Sequence, residues 1–466
     1  MKKLLLNTKI VILTITAIGV LSCADDDDNG NIIDNTPSNT VLDIVTNNPN
    51  YSSFLQALEQ TDLGFTIAGS GNFTVFAPTN AAFDAFLDGT PIQDVDNEVL
   101  TQLVLNHILN TELFASDFTT GYQKTIATEA SSNANIDMYI NTATGVTINN
   151  VSSVTAADMD ADNGVLHEVN AIITLPTVTS FVAIDPSLSS LLAALTDEGN
   201  TTFTTLLSDT TSDFTVFAPT NDAFTTFLDG ASLGDIDNNL LAQVLSNHVI
   251  PGTVATASSL SNLYINTAAI FNGDVNAPIT MYINTDDGVR LNGASSVTQA
   301  DIVTSNGVIH VVNSVIPLPD VTTYIFADPN FSILLEALLA DPNVDYITAL
   351  QTPLGEGPTP FTGFAPTNEA FENLFADLNV TGISDIPIMD LSVIVELHNI
   401  ISSNIRAEEL TGMDGMVFTT FSGLDITIDA TTPAIIDPSG GSSRLLMTDL
   451  QTANGVVHTL DRVLRN

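Results

Sequence analysis

The same pattern of hydrophobic and polar positions occurs three times along the chain. Each copy begins with a short apolar strand, continues with an Ala-Pro pair and a polar Thr-Asn pair, and ends in a segment with Phe at helical spacing. The copies cover residues 73–83, 214–224 and 361–371. They start 141 and 147 residues apart, which indicates three domains of about that size.

In the first copy, the apolar strand is predicted to stop at Pro78, because proline has no amide hydrogen to donate to a strand ladder. Thr79 or Asn80 can then cap a helix. The apolar stripe of that helix, and so its predicted core contribution, consists of Phe83, Phe86 and Leu87.

A second pattern closes each copy. An Asn-Gly pair predicts a tight turn, and the alternating residues after it predict a strand. These segments are residues 163–169, 306–312 and 454–460. Each copy also opens with one helix-like segment, at residues 41–58, 178–195 and 321–339. Short joints containing Pro connect the copies, so we expect a semi-rigid string of domains.

Composition supports folded domains and restricts their partners. Hydrophobic residues make up 44% of the 466 positions and charged residues only 14%, which suits β-rich globular domains. The 54 acidic residues outnumber the nine basic ones, for a formal net charge of −45. Such a surface repels phosphate backbones and anionic lipids, so we expect no nucleic-acid partner. The charge is compatible with loose calcium association or with adaptation to a saline habitat.

The first residues are predicted to direct export. Residues 1–22 contain a basic start and an apolar run that is too short to cross a bilayer, as in a signal peptide. A small residue before Cys23 resembles a bacterial lipobox, which implies lipidation of Cys23; ordinary cleavage after Ala24 is the alternative. Residues 23–39 form an acidic tether that resembles the export signal of Bacteroidetes surface lipoproteins. We expect attachment to the cell outer membrane by the lipid anchor alone, facing outside, with the periplasmic face or secretion as alternatives.

The Phe-Ala-Pro-Thr-Asn segment, a mid-domain His and the closing Asn-Gly-Val-x-His strand together resemble the fasciclin domain family. The resemblance covers residues 40–466 as three domains, at 40–176, 177–319 and 320–466. It implies an α+β fold, in which each domain is a twisted β-sandwich or wedge that pairs its two motif strands near the centre, with helices packed on one side. It also implies adhesion or matrix interaction, without enzymatic activity.

The resemblance further suggests candidate interaction residues. Animal members carry an Asp-Ile pair shortly before the Asn-Gly turn, and the matching pairs here are Asp158-Met159, Asp301-Ile302 and Asp449-Leu450. A mid-domain Tyr-His pair of those members has lost its Tyr in all three copies. The alternative interpretation is that each Asp braces a turn and its apolar neighbour fills the core.

The six histidines are interpreted as framework residues, together with two neighbouring asparagines. Each lies among apolar residues at a repeated position, where a neutral His that donates to a carbonyl needs no metal. The set consists of Asn106, His107, His167, Asn247, His248, His310, His398 and His458. A zinc pair in each copy is the alternative. We expect no metal and no cofactor.

Catalytic signatures are missing from the sequence. There is no Gly-x-Ser-x-Gly elbow, no phosphate-binding Gly-Lys-Ser/Thr loop and no Cys besides Cys23. An Asp-x-Asp-x-Asp run at residues 158–162 fails as a calcium loop, because Gly164 comes one position late and Val169 replaces the final Glu.

We therefore expect a non-enzymatic surface protein that binds a surface or matrix protein or a glycan through repeated weak contacts. A polysaccharide-binding module is the alternative, and a hydrolase is a more distant one. The third copy differs most, because Gly363 replaces a Val in its motif strand. We predict that this copy is the least stable or is specialised for contact.

Overall fold

The computed structural model describes residues 39–196, 207 and 209–466. The predicted signal peptide and Cys23 lie outside the described residues, as does all of the predicted tether except Asn39. The described chain repeats one order of elements three times, from lead-in helices through the motif strand to the closing strand. Helices and strands are mixed within every copy, so the predicted α+β class is confirmed.

The first domain begins with lead-in helices and ends on the closing strand. Its helices are α1 (Val41–Asn47), α2 (Ser52–Gln60), α3 (Gly64–Ala68), α4 (Asn80–Leu87) and α5 (Asn97–Leu105). Its strands are β1 (Phe73–Pro78), β2 (Ile108–Leu109), β3 (Gly121–Thr128), β4 (Asn135–Asn141), β5 (Thr147–Ile148), β6 (Ser152–Ala161) and β7 (Gly164–Val169).

The second domain repeats this order. Its described helices are α6 (Val178–Ile184), α7 (Ser189–Thr196), α8 (Asn221–Leu228) and α9 (Asn238–Ser246). Its strands are β8 (Phe214–Pro219), β9 (Val249–Pro251), β10 (Leu263–Ile270), β11 (Pro278–Asn284), β12 (Arg290–Leu291), β13 (Ser295–Thr304) and β14 (Gly307–Val312).

The third domain keeps the order, but several of its strands are shorter and it has eight strands instead of seven. Its helices are α10 (Thr323–Ala327), α11 (Ser332–Leu339), α12 (Tyr346–Leu350), α13 (Asn368–Leu378), α14 (Ile388–Leu397) and α15 (Ala407–Leu410). Its strands are β15 (Phe361–Pro366), β16 (Asn399–Ile400), β17 (Val417–Thr419), β18 (Asp425–Asp429), β19 (Ala434–Ile436), β20 (Ser442–Arg444), β21 (Leu450–Gln451) and β22 (Gly455–Leu460).

The lead-in segment of each copy is two helices and not the one that its pattern predicted. A proline follows the first helix and starts a short 3-10 turn, because the residue before proline is held out of the helical region. The turns are Pro49–Tyr51, Pro186–Leu188 and Pro329–Phe331. The chain changes direction there and can place two helices, instead of one, over the sheet.

The motif strand and the closing strand lie side by side and parallel in every domain. Phe73 pairs with Gly164 and Pro78 with Val169, without a break in register. The same pairing joins β8 to β14 and β15 to β22. The expected central pairing of the two motif strands is therefore observed, and all six strands are fully buried except at Glu168.

Alternate residues of the motif strand enter two different cores. Phe73, Val75 and Ala77 pack in the helix-side core of the first domain, whereas Phe76 packs in a second core within the sheet. A strand buried on both faces explains why its sequence is continuously apolar. In the first domain the seven strands close into a barrel in chain order, and the second keeps the same strand neighbours without closing. In the third domain, eight strands form two separate four-stranded sheets.

The helix after the motif strand begins as its sequence predicts. Thr79 is the N-cap of α4, and its hydroxyl accepts the amide of Ala82. Phe83 is buried, but Phe86 is 41% exposed, so its prediction as a core residue is wrong. In this eight-residue helix only Ala82 and Phe83 are fully buried, so the buried stripe is narrow and does not include Phe86.

Within the described ranges, no single helix is both long enough and apolar enough to cross a membrane. Two sharply bent helix pairs, Val178–Ile184 with Pro186–Thr196 and Asn368–Asp385 with Ile388–Leu397, meet the criteria of length and composition alone.

Candidate functional site

One histidine of each domain lies at the end of the mid-domain helix. These residues are His107, His248 and His398, and each is buried. Nδ1 of each ring lies 2.7–2.8 Å from the carbonyl oxygen four residues earlier in its helix. Nε2 accepts a main-chain amide from the segment after the closing strand, at 2.9–3.0 Å. Each ring therefore ties the helix to the closing segment.

The other histidine lies on the closing strand and has the reverse arrangement. These residues are His167, His310 and His458. Nε2 of each lies 2.8 Å from a loop carbonyl, and Nδ1 accepts the main-chain amide of Asp158, Asp301 or Asp449 at 3.2–3.3 Å. The ring also packs on the motif-strand Phe, as in the 5.7 Å centroid separation of Phe76 and His167.

Both patterns require a neutral imidazole, because one ring nitrogen donates and the other accepts. Burial lowers the pKa of His107, His248 and His398 to about 4, although the carbonyl at Nδ1 opposes this shift. Burial also lowers the pKa of the three closing-strand histidines. A ring nitrogen that already accepts an amide hydrogen has no lone pair left for a metal, and no group of three or more potential ligands is found among the described residues.

The two framework asparagines beside His107 and His248 are buried with their rings. Nδ2 of Asn106 donates to the carbonyls of Ile173 and Thr174, and Nδ2 of Asn247 donates to Pro317. The third domain has the buried Leu397 at this position and replaces the polar bond with apolar packing.

The three candidate aspartates occupy one repeated turn with left-handed backbone geometry. The φ angles of Asp158, Asp301 and Asp449 are 61°, 62° and 60°. Each carboxylate accepts a loop amide at 2.7 Å, from Ala115, Ala257 or Ala407. The sequence interpretation of a turn brace describes this arrangement directly. The carboxylate holds the loop, while the amide of the same residue holds the closing-strand histidine.

The apolar neighbours of these aspartates face inward. Ile302 and Leu450 are buried in the helix-side cores of their domains. Met159 packs partly buried against the first core, and its sulfur lies 3.7 Å from the Tyr51 hydroxyl. The second residue of each pair therefore contributes to the core and leaves the aspartate as the part that solvent can reach.

Neighbouring domains cover two of the three turns. The carbonyl of Asp301 accepts a 2.6 Å hydrogen bond from Lys124 of the first domain. The carbonyl of Asp449 accepts one from Thr280 of the second domain, at 3.4 Å. In the part of the chain that the structure describes, the turn at Asp158 has no contact of this kind, and its side chain is 45% exposed, against 38% and 28% for the other two.

The domains also meet through a repeated bond from tyrosine to aspartate. The hydroxyl of Tyr122 donates to Asp185 of the second domain, and that of Tyr264 donates to Asp328 of the third, at 2.9 and 2.8 Å. Each aspartate also caps the 3-10 turn that follows it. Burial next to the carboxylate raises the pKa of both tyrosines, so the hydroxyls stay protonated and donate.

Aromatic packing surrounds each bond. Tyr122 contacts Tyr139 and Phe181 edge to face, with centroids 5.0 and 5.1 Å apart. In the second interface Tyr264 lies 4.8 Å from Tyr282 and 5.3 Å from Tyr324. Such pairs add about 0.5–1.5 kcal/mol each beyond the burial of their area. The repeated interface makes the three domains one compact unit.

A strand-edge contact completes the first interface. The Asp137 carboxylate accepts the amide of Val303 and the ammonium of Lys124, both at 2.6 Å. Burial raises the pKa of Asp137 to about 6, against the opposing charge of Lys124. Thr280 takes the same place in the second interface and accepts the amide of Gln451 at 3.2 Å.

The sequence interpretation did not include these interface residues. A signal was present, because Tyr and Asp recur at matching positions of consecutive copies. The first copy has Asn48 at the position that Asp185 and Asp328 occupy in the other two. Where the first copy has the strand pair Tyr122 and Tyr139, the third copy has Val417 and Thr427. The interface residues are therefore present only where a neighbouring domain meets them.

Comparison with known proteins agrees with the threefold fold. A model of the fasciclin domain matches residues 49–176, 186–319 and 329–466. Human periostin is 29% identical over 264 residues, which cover 54% of this chain and 29% of periostin. Pig transforming growth factor-beta-induced protein ig-h3 is 26% identical over 266 residues, or 55% of this chain and 36% of the relative.

The chain thus spans about a third of the length of these curated relatives. Among solved structures, a domain pair from the insect cell adhesion molecule Fasciclin I aligns with a TM-score of 0.40 at 16% identity, over 59% of this chain and 98% of that one. The family model covers most of the sequence in three consecutive matches. The chain belongs to the fasciclin family, with three tandem fasciclin domains.

Proposed function

We propose that the chain is a non-enzymatic protein of the cell surface that mediates adhesion or matrix interaction through several weak contacts. Its partner is a surface or matrix protein or a glycan. The observation that carries this proposal is the repeated domain interface, which holds three similar domains in one unit. Contacts that are individually weak add strongly when they are presented together at fixed spacing. We take residues 40–176, 177–319 and 320–466 as the limits of the three domains.

The geometry of the histidines supports the non-enzymatic part of the proposal. A general base needs a ring nitrogen free to take a proton at working pH. In this chain both ring nitrogens of every histidine are bonded to the main chain, and burial keeps the pKa values low. The same arrangement occurs in all three domains, as expected of a framework.

For the location, we infer an anchor at Cys23, in the predicted outward-facing position on the outer membrane. This residue lies outside the described residues, and the inference rests on the sequence. Mass spectrometry of the mature N-terminus tests it directly. A diacylated or triacylated Cys23 is the expected result, and an unmodified chain that starts at Asp25 would remove the anchor.

We infer that the Asp158 turn of the first domain is a contact surface. Its counterparts at Asp301 and Asp449 are engaged by the preceding domain, as described above. The Asp158 carboxylate is also the most exposed of the three. A partner can therefore reach this turn without separating two domains.

Attachment of cells to a natural surface or matrix tests the proposed function. Deletion of the whole chain is expected to reduce attachment, and re-expression of the full chain to restore it. Asp158→Asn keeps the size and an acceptor oxygen but removes the charge, so it should reduce attachment more than Asp301→Asn. Unchanged attachment after deletion, in cells whose parent displays the chain outside, would refute adhesion. A glycan array then distinguishes the ligand class, because tight binding to one glycan favours the polysaccharide-binding alternative.

A further inference from the structure

We propose that the third domain carries a binding pocket for an acidic saccharide, formed around Arg444, Arg462 and Arg465. The described residues contain six basic side chains, in a chain whose formal net charge is −45. These six are Lys124, Arg290, Arg406, Arg444, Arg462 and Arg465. Three of them line one polar pocket of about 220 Å³. Half of the described basic side chains are therefore gathered at one place on a strongly acidic protein.

Two of the guanidinium groups lie beside acidic partners. Arg462 lies 3.9 Å from the Asp437 carboxylate, whose side chain is fully buried. The same carboxylate accepts the amides of Gly441 and Arg465 at 2.7 and 3.2 Å. Arg465 donates to Asp377 at 2.9 Å through one terminal nitrogen. The Arg465 guanidinium, which is held by this hydrogen bond, loses little conformational freedom when a ligand binds.

The third guanidinium group is the accessible one. The Arg444 side chain is 77% exposed, and its Nε lies 3.7 Å from the Asp461 carboxylate. The main-chain amide of Arg444 also donates to Asp461, at 2.7 Å, which positions the base of the side chain. Because the contact uses Nε, the two terminal nitrogens remain as donors for a planar anion such as a carboxylate, or for a sulfate.

The rest of the lining favours a saccharide over an acidic peptide. Asp377 and Asp461 present carboxylate oxygens, and Asn373 and Ser442 present neutral polar groups. A sugar ring carries several hydroxyl donors for those carboxylates next to its acidic group for the arginines, whereas an acidic side chain has only acceptors and the donors of a peptide are confined to its main-chain amides. The volume is below the roughly 300 Å³ at which pockets for drug-sized ligands begin, so it suits one sugar residue of a longer chain.

The fold itself does not require these charges. Strand register places Ser153 of the first domain and Ser296 of the second where the third has Arg444. In all three the main-chain amide donates to the side chain 17 residues later, which is Asn170, Asn313 or Asp461.

The positions of the other two arginines also hold neutral residues in the first two domains. Counted from the shared Asn-Gly turn, Arg462 corresponds to Ala171 and Ser314. Arg465 corresponds to Thr174 and Pro317. Two copies of the same framework thus have neutral residues at all three arginine positions, and the cluster is an addition to the third domain. This inference rests on the proposed function only for the location outside the cell, because binding can be measured on the purified chain.

Calorimetric titration of the full chain at physiological salt tests the proposal. The probes are a trimer of galacturonic acid, a sulfated galactose trimer, a neutral galactose trimer and a tri-aspartate peptide. Binding of one or both acidic saccharides, without binding of the neutral one, is expected, and the preferred acid identifies carboxylate or sulfate as the recognised group. Equal binding of neutral and acidic trimers, no binding of any saccharide, or tighter binding of the peptide would overturn the proposal.

Arg444→Gln should weaken binding of the preferred trimer about tenfold, the usual effect of losing one charge-assisted contact. Because the Arg444 side chain is exposed, this variant should fold as the native chain does, and circular dichroism checks this. Arg290→Gln removes an exposed arginine of the second domain and should leave binding unchanged. Equal affinity of the two variants would contradict the assignment. Cell attachment is measured separately, so a failure of this pocket and a failure of the adhesion proposal are distinguishable.

Discussion

The Tyr122 hydroxyl of the first domain donates a 2.9 Å hydrogen bond to the Asp185 carboxylate of the second domain. We expect Tyr122→Phe to lower the free energy of unfolding by about 1–2 kcal/mol, because it removes a donor from a buried carboxylate. The substitution should weaken mainly the contact between the first and second domains. Limited proteolysis around residues 170–177 should therefore become faster, and urea unfolding should show reduced coupling of the first two domains.

Tyr346→Phe is the matched control for this substitution. Its hydroxyl also donates to a carboxylate, that of Glu396 at 3.0 Å, but both residues belong to the third domain. It should leave the proteolysis of the first joint unchanged. Faster cleavage in both variants would mean that the tyrosine–aspartate bond does not hold the joint specifically.

The histidines predict how stability depends on pH. Burial lowers the pKa of His107, His248 and His398 to about 4 in the folded chain, whereas an unfolded His titrates near 6.5. Between these values the unfolded state binds more protons, so stability is lost as the pH falls from about 6.5 to 4. The loss amounts to about 2–3 kcal/mol for each histidine.

Asp137 acts in the opposite direction, because burial raises its pKa to about 6. The folded state binds more protons than the unfolded state between about 4 and 6, so this one group gains stability as the pH falls. The three histidines together outweigh this single group. The free energy of unfolding of the whole chain should therefore decrease as the pH falls. Urea unfolding at several pH values measures the slope. His107→Gln should be less stable at pH 7 but should show a shallower slope, and an unchanged slope would contradict the assignment.

Gly164 permits the close approach of the two central strands. Its φ is 147°, and an added Cβ would lie 2.2 Å from the carbonyl oxygen of Phe73. Gly164→Ala should therefore cost about 3 kcal/mol or more, from backbone strain combined with overlap. Gly145→Ala is the control, since Gly145 has a φ of 103° but no atom within 4 Å of its added Cβ. It should cost about 1 kcal/mol in urea unfolding, and equal losses would rule out the close approach as the cause.

Gly363 is the opposite case, a strand glycine with room for a side chain. An added Cβ would meet Asn399, Val457 and Val456 at ordinary contact distances of 3.6–3.9 Å. Gly363→Ala should stabilise the third domain by about 0.5–1 kcal/mol, because alanine loses less backbone entropy on folding. Hydrogen exchange of the full chain, resolved by domain, checks both this gain and the prediction that the third domain is the least stable. Highest protection in the third domain of the native chain would refute the latter.

The repeat made much of the fold predictable. The Phe-Ala-Pro and Asn-Gly patterns located β1 and β7, and the cap at Thr79, because each depends on local chemistry such as a missing amide or a tight turn. Local patterns gave wrong predictions where packing against other elements determines burial, or where a single residue interrupts a helix. Phe86 has the spacing of a core residue, but the width of the helix contact leaves it exposed. The lead-in segment has helical periodicity across Pro49, yet the proline divides it.

The candidate site was less accessible to sequence reasoning. The pairing of Tyr122 with Asp185 depends on how two domains are oriented, and no spacing within one copy encodes that orientation. The same holds for Arg444 and Asp377, which lie 67 residues apart and share a pocket only after folding. The turn of Asp158 was identified, but its exposure relative to Asp301 becomes visible only when the preceding domain is in place.

The parallel pairing of the motif strand with the closing strand has a mechanical consequence. Each closing strand, such as β7, is bonded along one edge to β1 and along the other to β6, and it is the last strand of its domain. Tension that enters from the C-terminal side therefore pulls along this strand and loads both ladders in shear, so that many hydrogen bonds must break together. Force applied at the C-terminal end of a domain should therefore meet a high barrier to unfolding.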